Sequence, residues 1–341
     1  MRAALLGCGS MGTILGALIT KNGGDITMID ANVAHVNAMN TKGVKIVGKM
    51  QETIPVHAIT PDKMEGIYDI VILLTKQTVN PVVLPHLLPF LGPNSVVCTL
   101  QNGVPEASVG SYVGMDRVVG GTIGWGATWL DAGVSELVTD PPRMKIEIGE
   151  LNGEHTDRIE AVANLIRHAH PCDVMSNLQG TRWSKLLMNA AMSGMSAACC
   201  SLFSDILDDE KAVRCAVAIA NELIKVATMK GIKLEVLVKG YDFYDLLYND
   251  KKSQDRAVAW LREFYIPHRP SKASMMQDME KRRKCEINQL NGVVCEGGRE
   301  FGIPTPFNDM VVKIVTNFEK GPEQPFPTMK EVELFPDPFV K

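Results

Sequence analysis

"LLGCGSMGTILG", residues 5–16, places glycines at 7, 9 and 12 in a G-x-G-x-x-G pattern. Three glycines at that spacing say little in a chain with 29 glycines among 341 residues, so their neighbours decide the reading. The run before them, "RAALLG", is short and apolar with strand character, and "MGTILGALITK" after them reads as a helix. That is the strand–turn–helix context a dinucleotide-binding turn requires. Gly7 permits the tight turn, Gly9 keeps a side chain out of the way of a pyrophosphate, and Gly12 lets the helix pack closely on the sheet. Cys8, Ser10 and Met11 complete the turn, and the helix start offers free N–H groups and a positive dipole end to phosphates. The confirming residue is an acid at the end of the second strand. Asp30 ends "DITMID", 18 residues after Gly12, where a spacing of about 20 is expected. A carboxylate there accepts hydrogen bonds from a ribose diol and repels a 2′-phosphate. No Arg or Lys follows within the next ten residues to offset it. The expectation is a Rossmann-type domain that favours NAD(H), with NADP(H) as the alternative.

A length of 341 residues suggests two domains. With 45% hydrophobic and 22% charged residues, the mix is that of an ordinary globular protein. A net charge of −4 argues against a nucleic-acid binder, which carries a basic excess. No run reaches about 18 apolar residues, so no membrane-spanning helix is expected. The apolar N-terminus mimics a signal peptide, but glycines interrupt it and no A-x-A-like site precedes "KNGGD", so it reads as mature structure. The eight cysteines form no C-x-x-C pair. Cys199 and Cys200, in a run of small apolar residues, read as core thiols, and the whole set suggests a reduced, cytoplasmic chain. "HAH" at 168–170 lacks a third ligand at a convincing spacing, so no metal site is expected. "KRRK" at 281–284 is expected on a solvated helix face.

Strand and helix patterns alternate through the first half, with "YDIVILLT" (68–75) the clearest buried strand and "NSVVCTLQNG" another that ends at a turn. Alternation of this kind implies a doubly wound parallel sheet. Between 120 and 150, "GGTIGWGATW", "VSELV" and "MKIEIGE" read as antiparallel strands. A helix near 154–170 and the short strand "CDVMS" close the domain. From 178 onward the strand signal stops and every periodic segment is helix-like. The fold class is therefore α/β: a Rossmann-type doubly wound sheet over residues 1–176, followed by an all-helical substrate and catalytic domain over 177–341. A Pro-rich tail from about 321 is expected to run irregularly over the surface.

In the helical half, "RWSKLLMNAAMS" spaces Lys185, Asn189 and Ser193 four residues apart, on one helix face among Leu, Met and Ala. A lysine held in apolar surroundings needs a partner or loses its proton, and it makes a good proton donor to an oxygen gaining negative charge.

Five segments in order carry a resemblance to a known family: "LLGCGSMGTILG", "LLTKQT" (73–78), "LQNGV" (100–104), "WSKLLMNAAM" (183–192) and "SMMQDMEKRRKCEINQLNG" (274–292). The chain resembles the ketopantoate reductases, two-domain dehydrogenases that reduce 2-oxo acids to 2-hydroxy acids. The resemblance implies that Lys185 is the general acid and that Glu286 lies beside lysine and substrate. Asn102 and Asn189 would hold the substrate's polar groups, with Ser193 on the same face. Ser274 would bind substrate, and Lys76 and Asn102 would lie near the nicotinamide. Ser274 also begins S-x-x-Q ahead of a helix, a capping-box pattern compatible with that role. The site would lie in a cleft between the domains.

Two positions depart from the family pattern. Ser193 stands where members usually carry a second Asn, and Asp30 stands where most NADPH-dependent ketopantoate reductases lack an acid. Together they favour an NAD(H)-dependent relative acting on a branched or bulky 2-oxo acid. The alternatives are a true 2-dehydropantoate 2-reductase using NADPH, and a non-catalytic dinucleotide sensor. The expected partner is a small 2-oxo or 2-hydroxy acid, and a homodimer is compatible with the sequence. The segment 241–265 adds four of the six tyrosines and Trp260. It reads either as packing or a dimer surface, or as a wall over a bulkier substrate.

Overall fold

The strand "AALL" needs no polar face because both of its faces are covered. Ala3 and Leu5 join one apolar cluster, and Ala4 and Leu6 join another. In the computed structural model, which describes residues 1–339, these four residues are β1 (Ala3–Leu6), an internal strand of an eight-stranded sheet. The chain divides into two compact units, Met1–Leu178 and a second beginning at Gln179.

The strands of the first unit are β1, β2 (Thr27–Ile29), β3 (Val44–Gly48), β4 (Glu52–Ile54), β5 (Ala58–Ile59), β6 (Tyr68–Leu73), β7 (Leu91–Thr99), β8 (Val118–Ile123), β9 (Ala127–Asp131), β10 (Val134–Leu137), β11 (Ile146–Gly149) and β12 (Cys172–Val174). Its helices are α1 (Ser10–Lys21), α2 (Val33–Lys42), α3 (Asn80–Leu87), α4 (Glu106–Val113) and α5 (Asp157–Arg167). The main sheet runs β12-β11-β8-β7-β6-β1-β2-β5. All neighbours in it pair in parallel except β8 and β11. Residues of α1 and α5, including Ile14, Leu15, Ile159 and Ile166, cover one face; Leu84, Leu87 and Val109 of α3 and α4 cover the other. Burying each such Leu or Ile contributes about 1.5–3 kcal/mol. This is the doubly wound arrangement that the alternating sequence predicts.

A second sheet, β4-β3-β10-β9, differs from the sequence reading. The strands of 120–150 do not form one antiparallel set. β8 pairs in parallel with β7 and antiparallel with β11, whereas the antiparallel pair β9–β10 leaves the main sheet to join β3 in parallel. Strands β3 and β4 are three to five residues long, and β3 finds its partner about 90 residues downstream.

Every strand among the described residues lies in the first unit. The second holds α6 (Leu178–Met188), which begins one residue ahead of it, a π turn (Asn189–Ser193), α7 (Gly194–Cys199), α8 (Phe203–Asp208), α9 (Glu210–Met229), α10 (Lys251–Phe264), α11 (Ser274–Glu280), α12 (Asn291–Phe301) and α13 (Pro306–Phe318). Most of the aromatic residues of 241–265 pack on one another: Trp260 stacks on Phe264 at 5.0 Å, and Tyr241 meets both rings edge-on. "KRRK" is exposed but not helical. Lys281 closes α11, and Arg282 takes a left-handed conformation (φ +51°). Arg282 N–H donates to Met279 O and Arg283 N–H to Asp278 O, the Schellman arrangement that stops a helix. The tail is not wholly irregular: Met329–Leu334 is a 3₁₀ turn, and Val332 and Phe335 are buried. Val340 and Lys341, which end it, lie outside the described residues.

The opening glycines separate by what surrounds them. A Cβ on Gly12 would stand 2.1 Å from the Gly7 carbonyl oxygen, whereas one on Gly9 would meet nothing within 4 Å. Gly12→Ala is therefore expected to destabilise the fold by about 1–3 kcal/mol, the cost of overpacking. Gly9→Ala should leave Tm unchanged and weaken dinucleotide binding. Thermal melts with and without NADH check both, and equal Tm losses in the two variants would overturn the distinction.

Candidate active site

The turn after β1 is held by its own backbone. Gly7 has φ +103°, and its N–H donates to Ile29 O at 2.9 Å. A Cβ there would fall 2.5 Å from Thr75 N, so the turn touches the segment that follows β6. Gly9 caps α1 without a side chain, and no acid occupies the first turn of the helix. The Gly9 position is exposed, and Ser10 and Met11 are half-buried. Uncapped N–H groups beside open space fit a phosphate. The buried Cys8 thiol has its pKa pushed well up by desolvation, so it is no nucleophile.

Asp30 sits half-buried just after β2, next to this turn. Its Oδ2 accepts from Cys8 N–H at 2.8 Å and its Oδ1 from Asn32 N–H at 2.8 Å. Each oxygen keeps lone-pair capacity for a further donor. The Cys8 carbonyl, in the next peptide group, is tied as well. Thr13 Oγ1 donates to Cys8 O at 2.7 Å, and His35 Nε2 lies 3.0 Å from Thr13 Oγ1. Gly133 N–H donates to His35 Nδ1 at 2.8 Å, which leaves Nε2 as the protonated nitrogen of a neutral ring. Burial lowers the His35 pKa, in keeping with that tautomer. Neither Thr13 nor His35 stood out in the sequence, because nothing local marks a histidine whose partners are 22 and 98 residues away.

Lys76 and Asn102, both half-buried, follow β6, which neighbours β1 in the sheet, and β7, the next strand beyond it. Their loops are stitched together. Gln101 Nε2 donates to Thr75 O at 2.9 Å and Asn80 Oδ1 at 2.7 Å, and Gln77 Nε2 donates to Asn102 O. The structure thus brings the glycine turn, Asp30, Lys76 and Asn102 to the carboxyl edge of adjacent parallel strands, the edge where open α/β sheets bind ligands.

In the second unit, Lys185, Asn189 and Ser193 are each half-buried, while Leu186, Leu187, Ala190, Ala191 and Met192 around them are buried. The three polar groups form a row sunk in an apolar helix. Glu286 is buried just ahead of a 3₁₀ turn, and Asn291, five residues further on, donates to Ala190 O in the π turn. Glu286 and the row thus belong to neighbouring segments. Ser274 is exposed as the first residue of α11, a helix that packs against the π turn and α7. The capping-box expectation fails: Ala273 is the cap, with no side-chain hydrogen bond, because the helix starts at Ser274 and not after it.

Among the described residues no group of three His, Cys, Asp or Glu is placed to hold a metal ion. His168 and His170 each face a carbonyl, those of Asn22 and Pro141. No helix among them is long and apolar enough to cross a membrane.

The chain has counterparts among known sequences and folds. The chain is 26% identical over 322 residues to 2-dehydropantoate 2-reductase of Archaeoglobus fulgidus, covering 94% of this chain and 98% of that one. Among solved structures it is similar to D-mandelate dehydrogenase in complex with NADH and anilino(oxo)acetate, at a TM-score of 0.80 and 21% identity over 94% of this chain and 98% of that one. It is also similar to 2-dehydropantoate 2-reductase from Geobacter metallireducens, at a TM-score of 0.79 and 24% identity over 93% and 99% of the two chains. The family model for ketopantoate reductase PanE/ApbA matches residues 3–153, and the model for its C-terminal part matches residues 177–319. With both units matched, the chain belongs to the ketopantoate reductase PanE/ApbA family.

Proposed function

We propose that this chain is an NAD(H)-dependent reductase of a branched or bulky 2-oxo acid. The observation that carries the reading is the row Lys185–Asn189–Ser193, three polar groups held half-buried on an otherwise apolar helix. A solvated stripe has no reason to be sunk in this way. A site that must hold a carboxylate and protonate an alkoxide does.

A reduced nicotinamide, when bound, supplies the hydride that adds to the carbonyl carbon. The open space at Gly9, the uncapped start of α1 and the oriented Asp30 carboxylate fit the phosphates and ribose of such a dinucleotide. Lys185 gives a proton to the carbonyl oxygen as negative charge builds there, which leaves a 2-hydroxy acid and a neutral amine that regains its proton from solvent. Asn102, Asn189, Ser193 and Ser274 hold the substrate's polar groups, and Glu286 lies beside lysine and substrate. Lys76 and Asn102 serve the nicotinamide end.

A second reading is 2-dehydropantoate 2-reductase with NADPH, favoured by the name of the Archaeoglobus fulgidus relative. Asp30 and Ser193 favour the first. So does the NADH complex of the similar D-mandelate dehydrogenase, whose companion ligand is a bulky oxo acid derivative. NADH consumption with any 2-oxo acid excludes a non-catalytic sensor. A cytoplasmic homodimer completes the proposal, and light scattering tests the dimer.

NADH is expected to bind several-fold more tightly than NADPH, and Asp30→Ser to narrow the gap. Fluorescence titration checks this, and tighter NADPH binding to the unmodified protein refutes it. Lys185→Ala should lower kcat about 10²-fold or more, the scale of a general acid, with NADH affinity unchanged. Near-normal turnover would remove Lys185 from the mechanism. Across a panel of 2-oxo acids, a larger branched or aromatic acid should exceed ketopantoate in kcat/KM about tenfold, since each methylene in an apolar pocket is worth roughly 1–3 kcal/mol. Ser193→Asn should move the preference back. A panel led by ketopantoate would hand the assignment to the second reading.

A further inference from the structure

The helix that carries the row is deformed within it. An uninterrupted α-helix advances about 100° per residue, so eight residues from Lys185 would leave Ser193 about 80° around the axis. Over Asn189–Ser193 the backbone makes a π turn instead, closed by Gly194 N–H donating to Asn189 O, five residues back. A π turn takes more residues per revolution, so Ser193 swings back toward the Lys185 side. Such turns are rare and interrupt the regular carbonyl rows of the helix.

Two side chains take up carbonyls at this interruption. Tyr265 Oη donates to Met188 O at 3.3 Å, and Asn291 Nδ2 donates to Ala190 O at 3.1 Å. Both residues are buried. A Cβ on Gly194 would stand 2.8 Å from Asn291 Oδ1 and 2.9 Å from Nδ2, so glycine at 194 is what admits the carboxamide. Asn291 is anchored from behind. Its Nδ2 also donates to Asn308 Oδ1 at 3.0 Å, and Asn308 Nδ2 donates to Glu222 Oε2 at 2.7 Å. Tyr265 is held by edge contacts with Phe203 at 5.6 Å and Phe264 at 5.1 Å.

We propose that Tyr265 and Asn291 are positioning residues that fix the π turn at Asn189–Ser193 and so align Ser193 with Lys185 and Asn189 for the substrate. The proposal rests on the reading of that row as the reaction's proton-donating and substrate-holding face. It also accounts for the aromatic segment 241–265, whose packed rings hold the tyrosine that clamps the turn.

Tyr265→Phe keeps the ring and its packing and removes only the hydroxyl. Asn291→Ser removes the carboxamide. Amide hydrogen exchange of residues 186–196, with α9 as internal reference, is measured beside kcat, KM and the NADH Kd. In both variants exchange over 186–196 should rise about fivefold or more, the scale of one net hydrogen bond, while α9 stays protected. In turnover, kcat should fall about tenfold, with the NADH Kd within twofold of the unmodified protein. Unchanged exchange over 186–196 in Tyr265→Phe overturns the proposal, and so does faster exchange with unaltered kcat. Should Asn291→Ser fail to fold, Tyr265→Phe decides alone. The exchange measurement needs no substrate. A failure of the enzyme reading would show instead as no NADH consumption by the unmodified protein.

Discussion

Cys8 is held at both of its backbone polar groups, and the glycine turn of the first unit depends on it. Its N–H is fixed by Asp30, and its carbonyl is fixed by Thr13, which in turn is fixed by His35. The arrangement works only with a neutral imidazole, one nitrogen donating to Thr13 and the other accepting from Gly133 N–H. Burial supplies that condition by pushing the His35 pKa down. A proton added at Nδ1 would set two donors against each other in a dry site. Through Gly133, between β9 and β10, the second sheet takes part in shaping the turn. It is thus more than an appendage to the Rossmann core.

The second unit solves its problem differently. The first presents backbone N–H groups and glycines, whose positions are set by sterics. The second presents side chains, whose positions are set by the phase of a helix. Phase is adjustable, and the π turn adjusts it. The cost is disturbed carbonyl rows inside a packed domain, offset by hydrogen bonds from Tyr265 and Asn291. Behind Asn291 the polar chain ends on Glu222, whose Oε1 accepts from Phe307 N–H and whose Oε2 accepts from Asn308 N–H at the start of α13. Burial pushes the Glu222 pKa up to about 7. The three N–H donors, two of them at a helix start, oppose that shift and suit the ionised form.

The parts legible in the sequence are those whose cause is local. The glycine turn is legible because sterics at Gly7 and Gly12 act within a few residues, and Asp30 because strand length sets its spacing. The half-buried row that begins at Lys185 is legible because Leu, Met and Ala surround it at helical spacing. What stayed hidden depends on partners far along the chain. Strand β3 pairs with β10 about 90 residues away. His35 is held by Thr13 and Gly133. The π turn lies in "NAAMSGMSAACC", which reads as ordinary helix until Tyr265 and Asn291 are seen beside it. The misread cap at Ser274 and the misread helix at "KRRK" are boundary errors of a second kind. The helix begins one residue early, and Arg282 ends it in a conformation that L-residues seldom take.

The same logic bears on Ser193. In a regular helix, a residue four positions beyond Asn189 would point about 40° away from it, and reach would have to make up the difference. At the end of a π turn the backbone supplies part of that alignment, so a short side chain serves. Ser193 and the π turn are then two aspects of one solution. The helix brings the hydroxyl into line, and the side chain leaves more room in front of it than an Asn would.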